Sequence, residues 1–361
     1  MIRTALVVLG AFAMPLAVAA NPTQTTTAAQ AFSNPFFEAK ATKFGAPAFD
    51  RIRAEHFRPA FYEGMRQHRA EIEAIANAKA APTFDNTILA MEKAGLFLDD
   101  VSAVFFNMTS ANSSAPIRAI QREMGPVMAA HSDSIRLNPK LFARVQAVYD
   151  KRASLRTPEQ RRLVERVYQG FVRSGAKLNP EQKARVSEIN QRLSSLSTNF
   201  SQKVLADTNQ FALVLETEAD RAGLPQFFLD AALEAGRARG MPGKYVVTLS
   251  RSSVEPFLEL STNRAMREKA WRGWVLRGDN NDAEDTKATA SEIVTLRQER
   301  AAILGYEHHA AFTLADTMAK TPANVSALLN GVWEPAKAAV TRDAAEYLAL
   351  AKSQGFTGDK L

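Results

Sequence analysis

Residues 179–204 read NPEQKARVSEINQRLSSLSTNFSQKV, and they decide the fold class. Asn179 offers a side-chain oxygen at an N-cap, Pro180 stands at the first helical position where no N–H is missed, and Gln182 occupies the capping-box position. Behind that start Val186, Ile189, Leu193, Leu196, Phe200 and Val204 advance by three or four residues, which keeps one apolar stripe on a 3.6-residue period. The spacing predicts a long helix packed along its length.

The same punctuation recurs outward from this segment. Asn138-Pro139, Thr157-Pro158-Glu159-Gln160 and Thr321-Pro322 mark three more helix starts. Apolar spacing predicts further helices over about 59–77, 85–108, 116–136, 225–239, 263–276, 283–304 and 321–354. Gly175, Gly240, Gly305 and Gly355 stand where helix stops are expected. Gln210 to Leu215 and Tyr245 to Leu249 instead alternate apolar and other residues, the period of half-buried strands, and should pair as a small sheet across an intervening helix. No internal repeat is present, which disfavours a solenoid. The expected fold is mainly α with a small β pair.

The chain has 361 residues, 46% of them hydrophobic and 23% charged, an ordinary globular balance. Its formal charge of +7 comes from Lys and Arg interleaved with Asp and Glu, as in Arg161-Arg162-Leu163-Val164-Glu165-Arg166. With no basic block or aromatic-basic platform, nucleic acid is not an expected partner. Residues 1–20 have the parts of an export signal: Arg3, the apolar run Ala5 to Val18, and small residues at Ala17, Ala19 and Ala20. Cleavage near Ala20 or Asn21 would leave residues 21–34 as a polar, flexible leader and 35–361 as the helical region, in a periplasmic protein. The apolar run is too short and Ala-rich to span a bilayer, so no stable membrane insertion is expected after cleavage. Cysteine is absent, which excludes disulfides, thiolate metal sites and a lipobox anchor.

Chemistry is harder to find. The histidines are His56, His68, His131, His308 and His309, and no His-Glu-x-x-His occurs to set two imidazoles on one metal with a Glu beside the bound water. Glu307-His308-His309 fails the inverted motif because position 304 is Leu304. Neighbouring helical residues also project about 100° apart, so both histidines cannot easily close on one ion. Two polar histidines after a Gly305-Tyr306 stop is the favoured reading. His68-x-x-Glu71 and Glu55-His56 have no third ligand nearby in sequence and read as solvated helix faces. Asp279 to Asp285 suggests a calcium loop, but Ala283 and Glu284 fall where a ligand and the turn Gly belong. A helix N-terminus at Asp282 is expected instead. Trp271 and Trp274 are either core or one wall of a peptide groove; Arg277 either binds a carboxylate or caps its own helix C-terminus. No Gly-x-Ser-x-Gly elbow and no phosphate-cradling Gly loop occurs. No catalytic or metal-binding residue is assigned, and substrate-binding residues stay open.

Residues 264–322, RAMREKAWRGWVLRGDNNDAEDTKATASEIVTLRQERAAILGYEHHAAFTLADTMAKTP, carry a particular order of aromatic, basic and Gly positions. Through Trp271 to Gly278, Leu296 to Tyr306 and Met318 to Pro322 the chain resembles the thimet oligopeptidase-like zinc metallopeptidases, most closely their bacterial peptidyl-dipeptidase branch. Asn34-Pro35-Phe36-Phe37, Phe49-Asp50-Arg51-Ile52, His56 to Phe61, Leu193 to Phe200 and Glu255-Pro256-Phe257-Leu258 extend the likeness over 34–361. The resemblance implies the helical N-terminal lobe of a two-lobed, channel-forming protease, monomeric when full length, that hydrolyses short peptides and releases C-terminal dipeptides. It also implies Zn(2+), held in the family by His-Glu-x-x-His and a downstream Glu, none of which stands in this sequence. Leu361 follows a loop-like turn, so the expectation is an incomplete N-terminal half, inactive alone. An oligopeptidase cutting internal bonds shares that chemistry. A non-catalytic exported helical module that binds peptides or a protein partner is the alternative.

Overall fold

The computed structural model describes residues 34–38 and 43–361. The export signal and nearly all of the leader lie outside the described residues. Of the chain's described residues, 72% are helical. Its helices are α1 (Ala54–Ala76), α2 (Leu96–Ala111), α3 (Ala115–Arg136), α4 (Pro139–Asp150), α5 (Pro158–Ser174) and α6 (Pro180–Gln210). After strand β1 (Leu213–Leu215) come α7 (Gln226–Ala238), strand β2 (Tyr245–Val247), α8 (Arg251–Leu260), α9 (Arg264–Val275), α10 (Lys287–Ile303), α11 (His309–Leu314) and α12 (Pro322–Ser353).

The four Asn-Pro and Thr-Pro starts behave as read. Asn138 Oδ1 accepts from the amides of Lys140 and Leu141 at 3.0 and 3.1 Å. Thr157 Oγ1 accepts from Gln160 N at 3.2 Å, Asn179 Oδ1 from Gln182 N at 2.8 Å, and Thr321 Oγ1 from Asn324 N at 3.2 Å. Each satisfies a backbone donor that a bare helix end would leave unpaired. All four stop glycines have positive φ. The strands pair antiparallel with Leu213 opposite Val247 and Leu215 opposite Tyr245, and α7 lies between them in sequence.

Several boundaries differ from the sequence reading. Helix α1 begins at Ala54, not at Pro59, because His56 Nδ1 accepts the Arg53 amide at 3.0 Å and caps an earlier turn. Pro59 therefore sits inside the helix and forfeits one i→i−4 bond. The single helix expected over 85–108 is broken: a π-helical stretch Phe84–Leu89 runs into Ala90–Glu92, and α2 starts afresh at Leu96. Gly95 makes the break with φ +82, its amide donating to Glu71 Oε2 at 2.7 Å, and a Cβ there would lie 2.9 Å from His68 Nδ1. The helix expected from 283 begins at Lys287. Both strands are shorter than expected: β1 begins at Leu213, after α6 has run to Gln210, and β2 ends at Val247.

Packing follows the stripes. Phe57, Phe61 and Met65 of α1 meet Leu98, Val101 and Phe105 of α2 and Ile117, Ile120 and Met124 of α3. Phe105 packs edge-on against Phe57 and Phe61, with ring centroids 5.0 and 5.2 Å apart, a favoured aromatic geometry. A second core joins the end of α1 to α4 and α5 through Ile72, Ile75, Leu141, Val145, Val164 and Phe171. The α6 stripe lies along α3 and buries Ile189, Leu193 and Leu196 against Ile293 of α10. A third core gathers Leu215, Phe228, Val247, Val254, Phe257 and Met266 around the sheet. Helix α12 is long yet none of its residues is buried, and Leu328, Leu329, Val332, Trp333, Val340 and Tyr347 are all exposed. Among the described residues no helix is long and apolar enough to cross a membrane.

Candidate functional site

The histidines are used locally. His56 caps α1 as described, and His308 does the same for α11, its Nδ1 accepting the Ala311 amide at 3.1 Å. His309 Nε2 lies 3.4 Å from Thr313 Oγ1. Burial, then the neighbouring Arg297 and Arg300, pushes the His309 imidazolium below its usual range. His308 and His309 thus serve different partners, and Glu307 contributes its carbonyl to Gln298 Nε2 at 3.0 Å.

The structure makes one pairing that sequence spacing hid. His131 Nε2 of α3 lies 3.2 Å from His68 Nδ1 of α1, with the ring planes tilted by 60°. His131 is buried, and its Nδ1 has no hydrogen-bond partner among the described residues. The pair borders a cavity of about 310 Å³ lined also by Leu98, Met128, Ile135 and Phe171. Burial, then the positive field of His68 and Arg69, lowers the His131 pKa to about 4. Burial lowers His68 as well, against the opposing pull of Glu71 and Asp99.

This pair should make the fold acid-sensitive. Between the ordinary value of 6.5 and about 4, the unfolded chain takes up a proton at His131 that the folded chain refuses. The stabilisation is complete above pH 6.5 and is lost as pH falls toward 4, with a slope of up to ~1.4 kcal/mol per pH unit. Urea denaturation of His131→Gln between pH 7 and 5 should show a flatter pH dependence than the parent; equal slopes would contradict this account.

The acidic loop is closed by a side chain. Lys287 Nζ sits between Asp279 and Asp285, 2.5 Å from Asp285 Oδ2, and Asp285 also accepts the amides of Asn281 and Lys287 at 3.0 and 2.9 Å. Hydrogen bonds from Lys287 hold the Asp285 carboxyl down at about 2. The acids therefore bracket an ammonium ahead of α10 instead of starting the helix at Asp282. Trp274 packs on the sheet core, whereas Trp271 is exposed. Arg277 lies 3.8 Å over the Trp274 ring and donates from Nε to the Trp274 carbonyl at 2.9 Å, so it caps its own helix end.

Residues 257–361 match the model of peptidase family M3. Two curated relatives are dipeptidyl carboxypeptidases: that of Escherichia coli K12 is 40% identical over 319 residues, covering 88% of this chain and 46% of the relative. That of Salmonella typhimurium LT2 is 38% identical over 315 residues, covering 87% and 46%. The chain belongs to peptidase family M3. Oligopeptidase A of Escherichia coli K12 is 28% identical over 326 residues, covering 89% of this M3 chain and 48% of the relative. The M3 chain spans about half the length of the curated relatives it matches.

M3 peptidases are zinc-dependent. The donors described in this M3 chain do not fit that ion. His56 and His308 spend a ring nitrogen on a helix cap, and Glu71 and Asp99, though they act on His68, complete no three-donor group with the His68–His131 pair. Among the described residues no group of three or more His, Asp or Glu could hold a metal. No catalytic step is assigned to these side chains.

Proposed function

We propose that this chain is the N-terminal part of an exported zinc metallopeptidase that hydrolyses short peptides and releases C-terminal dipeptides in the periplasm. The observation that carries the reading is the contrast in identity: 38–40% to the two dipeptidyl carboxypeptidases against 28% to Escherichia coli oligopeptidase A over nearly the same span. The metal ligands are assigned to protein outside residues 1–361. The helices described here supply framework and channel wall. Helix α12 fits that assignment, since a helix with Leu328, Leu329, Val332 and Trp333 bare to water gains apolar burial only when something covers it. Residues 1–20 would direct export, leaving a mature N-terminus at Ala20 or Asn21.

The test is product analysis by mass spectrometry. A protein comprising this chain and a continuation through His-Glu-x-x-His, incubated with an N-blocked hexapeptide, should release the C-terminal dipeptide first and the next dipeptide second. Internal fragments without C-terminal dipeptides would overturn the dipeptidyl assignment and leave an oligopeptidase.

A further inference from the structure

Away from the histidine pair, a cavity of about 420 Å³ opens between α3, α5, α6, α10 and α11. Its charged lining comes from three helices and the segment after α11: Arg136, Arg166, Arg173 and Arg300 against Asp133 and Asp316. A second cavity of about 370 Å³ shares Asp133, Asn190 and Arg300 with it and adds Arg297.

The two carboxylates are already engaged. Asp316 pairs with Arg166, and both oxygens of Asp133 accept from Asn190 Nδ2 at 3.0 and 3.2 Å. Burial pushes the Asp133 carboxyl up, which weakens it as a counter-ion. The remaining guanidinium groups are positioned by neutral partners. Arg300 Nη1 donates to Asn190 Oδ1 at 2.8 Å, Arg173 Nη2 donates to the Phe312 carbonyl at 2.8 Å, and Arg136 lies 5.7 Å over the Phe171 ring. Arg173 is 4.6 Å and Arg300 5.6 Å from the same Phe312 ring, so one aromatic side chain brings two cations together. Among the described residues no carboxylate lies within ion-pair distance of Arg136, Arg173 or Arg300.

Such a cluster cannot relieve itself by losing protons, because a guanidinium stays charged at any pH a protein meets. Like charges gathered in a partly enclosed space repel without the full screening of bulk water. The remaining relief is an anion from solution, and the fork of N–H donors on Arg matches the oxygens of a carboxylate or phosphate. We propose that this cavity is a binding site for a small oxyanion, a carboxylate or a phosphate, held between Arg136, Arg173 and Arg300. Asn190 sets the site by turning its amide N–H groups to Asp133 and its oxygen to Arg300, which keeps the carboxylate from neutralising the guanidinium directly. The volume falls in the range of small-ligand pockets and exceeds what a bare halide needs.

The experiment is a calorimetric titration of the purified chain with sodium phosphate and, separately, sodium succinate, at ionic strength held constant with sodium chloride. Saturable one-site binding of at least one probe is expected. Arg136→Gln and Arg173→Gln should each weaken it by about tenfold, the loss of one charge-assisted contact. Arg239→Gln, an exposed charge at the end of α7, should leave it unchanged. Arg136 donates no hydrogen bond to a described group, so its variant should fold, with circular dichroism melting as the check; should Arg173→Gln melt early, Arg136→Gln carries the comparison. Phosphate binding without succinate binding identifies a phosphate-type ligand, and the reverse a carboxylate. No saturable binding of either probe, or binding indifferent to Arg136→Gln, overturns the proposal.

Discussion

Gly236→Ala is expected to destabilise the fold by about 3 kcal/mol, the cost of forcing atoms into a filled space. Gly236 lies near the end of α7, and a Cβ there would stand 2.2 Å from the Lys244 carbonyl oxygen and 3.0 Å from that of Met241. Both contacts are backbone, so no side chain can swing aside. The turn is tied to the same residue, since the amides of Arg239 and Met241 both donate to the Gly236 carbonyl, at 3.1 and 2.9 Å. Tyr245 follows directly and opens β2, where it pairs with Leu215. Any retreat of the turn therefore pulls on the sheet and on the core of Phe228, Val247 and Phe257 beneath it. Gly331→Ala should act in the opposite sense. Nothing lies within 4 Å of a Cβ there, so the change only raises helix propensity in α12, by about 1 kcal/mol locally. Urea denaturation of both variants checks the pair; a Gly236→Ala chain as stable as the parent would mean the turn does not hold the contact described.

What was legible in the sequence was local. An Asn or Thr ahead of a Pro writes its hydrogen bond within four residues, and all four such starts stand where they were read. The α6 stripe needed only its own spacing. What escaped depends on residues far apart in the chain. The break before α2 requires His68 and Glu71 of another helix to meet Gly95. His68 and His131 are 63 residues apart, and His68 with Glu71 alone reads as a solvated face. Arg136, Arg166, Arg173 and Arg300 likewise look like ordinary surface charge until three helices bring them to one cavity. The late start of α10 was missed because a run of acids resembles a helix N-terminus, whereas here Lys287 draws Asp279 and Asp285 into a loop. Family membership was legible for a different reason: the order of residues from Trp271 to Pro322 is particular enough to name relatives without any catalytic group. The same segment supplies packing and capping, as Trp274 and Arg277 show.

The largest expected effect concerns catalysis. Water attacks a peptide carbonyl slowly unless a metal lowers its pKa and a base takes its proton, and enzymes that achieve this gain a factor of about 10⁶ or more. Among the described residues no three His, Asp or Glu side chains converge on an ion site. Adding Zn(2+) to this chain should therefore restore no turnover, however well the helices are folded. On the proposed function, the helical region is a framework, and the rest of the peptidase would supply the chemistry. The direct measurement is hydrolysis of an N-blocked tripeptide by purified residues 1–361, with zinc supplied and with a chelator. Equal, background-level rates under both conditions are expected; hydrolysis that the chelator abolishes would place a working metal site within this chain and contradict the assignment.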